Sequence, residues 1–182
     1  MTTWAFVRHG QTDQNLHKRI QGQANFPLND TGRAQAREAG VHLGSLGSWD
    51  AIYASTLDRA VETAQIIADE LGVPFSGTLP ELIEKNYGDA EGVSYAGMSA
   101  EEKNALLTRG EPEAEVVARM RDALSRIEQS HRGGRVIVVS HGTALRLALG
   151  AFTGSQYPRF ENGDVRVHEF TQIAKSEDSP SN

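Results

Sequence analysis

The chain has 182 residues, a formal net charge of -6 and 38% hydrophobic residues, the balance of a soluble globular protein with one sizeable core. It contains no cysteine, which excludes disulfides, thiolate metal sites and cysteine nucleophiles, and no apolar run approaches the ~20 residues that cross a bilayer. The acidic balance argues against nucleic acid as the main partner. Met1-Thr2-Thr3-Trp4 lacks the basic and apolar regions of a signal peptide, so a cytoplasmic protein without a membrane partner is expected.

Short β-branched and aromatic runs alternate with amphipathic stretches. Thr3 to Val7 reads as a buried strand, and Thr31 to Leu46 as a helix with small residues on one face, entered through Asn29 and Asp30. Ala51 to Ala54 is a short strand. From Leu57 to Leu71 the apolar positions Leu57, Ala60, Val61, Ala64, Ile67, Ala68 and Leu71 form one helical stripe, which Ser55 or Thr56 can cap and Gly72 ends. A short strand follows near Phe75. Tyr95 to Arg109 reads as a partly helical cap whose side chains, Tyr95 and Met98 among them, decide substrate choice. Glu113 to Ser130 is a second strong helix. Arg135 to Val139 is apolar and β-branched, the mark of a strand buried on both faces. Thr143 to Phe152 is a helix closed by Gly154, Asn162-Gly163 is a turn, and Val165 to Phe170 is an antiparallel edge strand. Residues 1–174 read as one domain, and the polar stretch from Lys175 to Asn182 as a disordered tail. The pattern predicts an α/β three-layer sandwich with a mainly parallel central sheet and a short helical cap.

In such sheets, ligands bind beyond the carboxyl ends of the strands. Arg8-His9-Gly10 follows the first strand, Ser55 to Arg59 the second, and Ser140-His141-Gly142-Thr143 the long buried one. If these strands are parallel neighbours, Arg8, His9, Arg59 and His141 meet on one edge, beside helix N-termini that favour an anion. Arg8 and Arg59 suit a phosphoryl group because each guanidinium offers paired N–H donors in a plane. Asn15 and the backbone of Gly142 or Thr143 could add neutral donors. A neutral His9 imidazole can attack phosphorus in line, and nearby arginines disfavour imidazolium. Metal ligation by His9 and His141 is disfavoured by the same arginines. Arg59 could instead pair with Glu62 on the surface, and His141 could be a core histidine; His17, His42, His131 and His168 are assigned no role.

An alkoxide leaving group needs a proton donor. The segment from Glu81 to Gly92 offers Glu81, Glu84, Asp89 and Glu91, and chemistry alone does not choose among them. A phosphate dianion nearby would raise the chosen carboxyl's pKa.

These residues resemble the histidine phosphatase superfamily, also called phosphoglycerate mutase-like. Val7-Arg8-His9-Gly10-Gln11-Thr12-Asp13-Gln14-Asn15 is similar to its opening signature, and Gln21-Gly22 with Pro27 to Arg33 to its next block. Ser55 to Ala64, Leu82 to Gly88 and Ser140-His141-Gly142 resemble three further blocks in the same order. The resemblance extends from Phe6 to about Phe170. It implies a phosphoglycerate mutase-like fold, with His9 as the phosphorylated nucleophile and Glu84 as the proton donor. It also implies that Arg8, Arg59 and His141 bind the phosphoryl group, with further contacts from Asn15 and Gly142. Gln21, Gly22 and Tyr87 become possible substrate contacts, and no metal or organic cofactor is expected. Ala90 stands where the family often has Trp and Asn25 where it often has Asp, departures expected to reshape the mouth of the site. The stretch between Gly92 and Ser140 is short beside the family's mutases, which favours hydrolysis over mutation.

Three functions are therefore open: a metal-independent phosphomonoesterase acting on small phosphorylated metabolites, a bisphosphoglycerate-dependent phosphoglycerate mutase, and a phospho-ligand binding or regulatory module. A pure binder would need neither His9 nor Glu84. Oligomeric state is open, a homodimer among the options.

Overall fold

Alternation along β1 (Thr2–Arg8) sorts its side chains onto two faces: Trp4 and Phe6 enter one apolar cluster, Ala5 and Val7 another. A computed structural model describes residues 1–171 and 173 of the chain; the tail expected over 175–182 lies outside the described residues. The same two-sided burial holds for β4 (Arg135–Ser140), with Val136 and Val138 on one face and Ile137 and Val139 on the other. A strand buried on both faces is sandwiched between helix layers. Among the described residues, no helix is long and apolar enough to cross a membrane.

Among the described residues, five strands form the sheet, in the order β3 (Phe75–Thr78), β2 (Ala51–Ala54), β4, β1 and β5 (Val165–Phe170). The first four run parallel, and β5 pairs antiparallel with β1 as the expected edge strand. One face is covered by α2 (Asp30–Ser45) and α3 (Asp58–Leu71), whose Leu43, Ala64 and Ile67 meet Ile52 and Ile137. The other is covered by α5 (Glu113–Ser130) and α6 (Gly142–Thr153), whose Met120, Leu124, Leu145 and Leu149 meet Trp4 and Phe6. Each fully buried Leu, Ile or Met contributes about 1.5–3 kcal/mol by leaving water. The short α1 (Asp13–Leu16) and the cap helix α4 (Ala100–Leu107) carry no buried residue.

The small residues on α2 have a packing purpose. A Cβ on Gly40 would lie 2.8 Å from Glu70 Cβ of α3. A Cβ on Gly10 would lie 2.2 Å from the Gly32 carbonyl oxygen, and one on Gly32 2.1 Å from the Gln11 carbonyl oxygen. These two glycines let the loop after β1 lie directly on the start of α2. That contact seats His9.

The α3 N-terminus differs from expectation. Its N-cap is Leu57, with no side-chain capping bond, and neither Ser55 nor Thr56 caps the helix. Asn25, from a distant loop, accepts the Asp58 N–H at 2.9 Å, which frees the Ser55 hydroxyl for another partner.

Candidate active site

The parallel neighbours β2, β4 and β1 bring their carboxyl ends together. Arg8 is in register with Ser140, and Ala54 with Val139. Backbone pairing runs one step further: His9 N–H donates to Ser140 O and Ser55 N–H to Val139 O, each at 3.1 Å. The His9 and His141 rings consequently lie with centroids 5.1 Å apart.

Two contacts fix the His9 tautomer. Nδ1 lies 2.7 Å from the Gly10 carbonyl, which can only accept, so Nδ1 carries the proton. Arg59 Nε–H donates to His9 Nε2 at 3.3 Å, which requires a lone pair on that nitrogen. Burial first, then the charges of Arg59 and Arg8, hold the His9 imidazolium well below its ordinary range. For His141 burial again dominates, followed by Arg59, His9 and Arg8. The arginines act in the expected direction, but desolvation is the larger cause.

Arg59 is 1% exposed, so it is not the surface partner of Glu62; Arg33 takes that role at 2.6 Å. Its guanidinium donates to the carbonyls of Gly22 and Ala24, each at 2.7 Å. Burial pulls it down to about 10, which leaves it charged at neutral pH. Arg8 is anchored by one bond to the Phe160 carbonyl at 2.7 Å, and its Nε has no partner among the described residues. His141 Nε2 meets Ser55 Oγ at 2.6 Å. Ser55 Oγ also accepts from Leu57 N–H at 3.4 Å. His141 Nδ1 is buried and has no partner among the described residues.

The structure separates the acidic candidates. Glu84 accepts the backbone N–H groups of Lys85, Thr143 and Ala144 at 2.8, 3.1 and 2.9 Å, at the N-terminus of α6. It lines the same cleft as Arg8, Asn15 and Gly142. Glu81 instead pairs with Arg126 at 2.5 Å, Asp89 pairs with Arg109 on the surface, and Glu91 accepts from Gln23 and Tyr87 N–H. The Thr143 N–H is therefore committed to Glu84 and is not the free donor expected. Tyr87 both packs and lines: it is 4% exposed, its hydroxyl meets Thr143 Oγ1 at 2.6 Å, and it borders the cleft. Gln21 and Gly22 border it too, with Gln21 accepting from the Thr12 hydroxyl. Tyr95 lines the wall, whereas Met98 does not. Ala90 is fully buried beside Ile20 and Tyr87, and Asn25 caps α3 as described. Among the described residues, no group of three or more His, Asp or Glu is placed to hold a metal.

Several supporting residues escaped the sequence reading. Thr63 Oγ1 accepts the Gly10 N–H at 3.1 Å, and Asn162 Nδ2 donates to the carbonyls of His9 and Gly10 and to Asn15 Oδ1. The Glu84 loop is held by Arg119 of α5, which donates to the carbonyls of Glu81, Ile83 and Glu84 and forks onto Glu111 at 2.7 and 3.0 Å. Arg119 and Glu111 side chains are 17% and 14% exposed. Arg119→Ala should therefore cost about 3–5 kcal/mol, because it strands a mostly buried carboxylate. A urea titration read by circular dichroism checks this; a loss under 1 kcal/mol would contradict the anchoring role.

The profile of the histidine phosphatase superfamily (branch 1) matches residues 4–181. The uncharacterized phosphatase PhoE of Bacillus subtilis (strain 168) is 36% identical over 176 residues, 94% of this chain and 90% of that one. A metal-independent phosphoserine phosphatase of Arabidopsis thaliana is 35% identical over 180 residues, 92% of this chain and 76% of its own length. The solved structure of Bacillus stearothermophilus YhfR superposes with a TM-score of 0.81 at 30% identity, covering 93% of this chain and 91% of that one.

Proposed function

The chain belongs to the histidine phosphatase superfamily, and from that premise we propose that it is a metal-independent phosphomonoesterase working through a phosphohistidine on His9. The observation that carries this reading is the His9 Nε2 lone pair, fixed by the Gly10 carbonyl on Nδ1 and set beside Arg59 and His141. In the first step Nε2 attacks phosphorus, the ester P–O bond breaks, and the leaving oxygen takes a proton from Glu84. Arg8, Arg59 and His141 hold the equatorial oxygens as charge shifts between them. In the second step water attacks the phosphohistidine, Glu84 takes its proton, the P–N bond breaks and phosphate leaves.

The cleft measures about 490 Å³, within the range of small-molecule sites, which supports a phosphorylated metabolite as substrate. The cap helix α4, eight residues long, lines it through Ala100, Lys103, Asn104 and Leu107, and so short a helix supports access of water and hence hydrolysis.

The full chain should release phosphate from p-nitrophenyl phosphate with no added metal, at a rate unchanged by EDTA. Loss of activity on chelation would sink the proposal. Incubation with 3-phosphoglycerate and bisphosphoglycerate should release free phosphate; interconversion to 2-phosphoglycerate without phosphate release would establish the mutase reading instead.

A further inference from the structure

One buried lysine joins the loop of Glu84 to the cap. Lys85 is 1% exposed and makes no ion pair among the described residues. A lysine is rarely buried unless its N–H groups find acceptors. Here Nζ donates to the carbonyls of Leu107, at 3.0 Å, and Arg109. It also lies 4.5 Å from the centroid of the Tyr87 ring. Burial pulls the Lys85 pKa down, and the charges of Glu113, Glu111 and Glu84 oppose that fall. The two acceptors belong to the end of the cap. Leu107 is the last residue of α4, so its carbonyl is one of those a helix leaves without an intrahelical partner. Behind it the chain lies directly on the Glu84 loop: a Cβ on Gly110 would lie 2.2 Å from the Asn86 carbonyl oxygen, which accepts the Glu111 N–H at 2.8 Å.

The backbone of the same residue faces the other way. Lys85 N–H donates to Glu84 Oε1 at 2.8 Å. Arg119 grips the loop upstream, at the carbonyls of Glu81, Ile83 and Glu84, so the Lys85 side chain is the anchor on the downstream side. Resting on the phosphatase reading above, we propose that Lys85 is a positioning residue that couples the cap helix to Glu84, holding the carboxyl for proton transfer while α4 is seated at the cleft. The cap helix, which has no buried residue of its own, is thereby tied to the proton donor through two backbone carbonyls and one side chain. A substrate that orders α4 also orders Glu84, and a displaced α4 leaves the leaving oxygen without a well-placed donor.

Lys85→Met keeps the length of the side chain and removes its donors. It should lower kcat for ethyl phosphate about tenfold or more and for p-nitrophenyl phosphate less than about threefold, because only the alkoxide needs the proton. Lys85→Arg, which keeps donors for the two carbonyls, should hold the ethyl to p-nitrophenyl ratio within about threefold of the parent. Added to Glu84→Gln, the methionine substitution should change that ratio by less than about twofold, since a residue acting through Glu84 has nothing left to position. A merely structural role would slow both esters alike and would do so in either background; that result overturns the proposal. Hydrogen exchange of the parent tests the coupling without any substitution. Orthovanadate, as a phosphate mimic, should slow exchange both in residues 84–92 and in residues 100–109, and in Lys85→Met only in the first. Protection confined to 84–92 in the parent overturns the coupling even where the variants fail to fold. If the parent turns over neither ester, the phosphohistidine reading itself fails; if it turns over both and Lys85→Met leaves their ratio unchanged, only the role of Lys85 fails.

Discussion

Replacing His9 with alanine should lower kcat for p-nitrophenyl phosphate by on the order of 10⁴-fold or more, the scale seen when a nucleophile is removed from a site whose other groups remain. The size of the effect follows from geometry. Arg8, Arg59 and His141, the proposed phosphate ligands, remain in the variant, so KM should change far less than kcat. His9 is 2% exposed, so the substitution also opens a small buried space. A melting curve separates that cost from catalysis, since a stability loss of a few kcal/mol leaves most molecules folded at room temperature. Steady-state rates that stay within tenfold of the parent would move the nucleophile elsewhere, or to water.

Glu84→Gln should be the second largest effect, and its signature is a dependence on leaving group. Alkyl phosphates expel a strongly basic alkoxide and should slow by about 10²–10⁴-fold, the usual worth of a positioned general acid. Aryl phosphates expel a weakly basic phenolate and should slow far less. The glutamine keeps the shape but not the hydrogen bonding. Both Glu84 oxygens accept backbone N–H groups, Oε1 from Lys85 and Ala144 and Oε2 from Thr143. An amide group must turn its own N–H toward one of those donors, so a loss of about 1–3 kcal/mol in stability should accompany the kinetic change. Comparing ethyl and p-nitrophenyl phosphate with both enzymes decides the matter: equal losses on the two esters would assign the proton to another carboxyl.

The strands and helices that place this chemistry were legible because their causes are local. The β-branched run Arg135 to Val139 can only be a strand covered on both faces, and it is, as part of β4. The apolar stripe from Leu57 to Leu71 faces the sheet as its period demands. The convergence of Arg8, His9, Arg59 and His141 was legible only conditionally. It needed β2, β4 and β1 to be parallel neighbours, a property of the sheet rather than of any segment. What was not legible depends on contacts between distant positions. Ser55 has the residue type and place of a helix cap, yet its hydroxyl serves His141, and Asn25 receives the helix N–H across 33 positions. Thr143 N–H looked free for phosphate, yet Glu84 takes it from 59 positions away. Arg119 reads from sequence as one more polar residue on an amphipathic helix, and only folding shows it gripping the Glu84 loop. Asn162 read as a turn residue, and it is also the clamp on the His9 and Gly10 carbonyls. The choice of Glu84 over Glu81 follows the same rule. Both lie in one loop, and only the third dimension turns Glu81 to Arg126 and Glu84 to the cleft.

The proposed mechanism requires a covalent bond between phosphorus and one ring nitrogen. Rapid mixing with a slowly hydrolysed aryl phosphate, followed by an alkaline quench and peptide mass spectrometry, reads that bond directly, because phosphohistidine survives base and is lost in acid. The predicted result is one phosphoryl group on the peptide bearing Arg8-His9-Gly10, at His9 and absent from His9→Ala. Turnover that proceeds at full rate with no phosphorylated histidine at any quench time, or with the label on another residue, would contradict it.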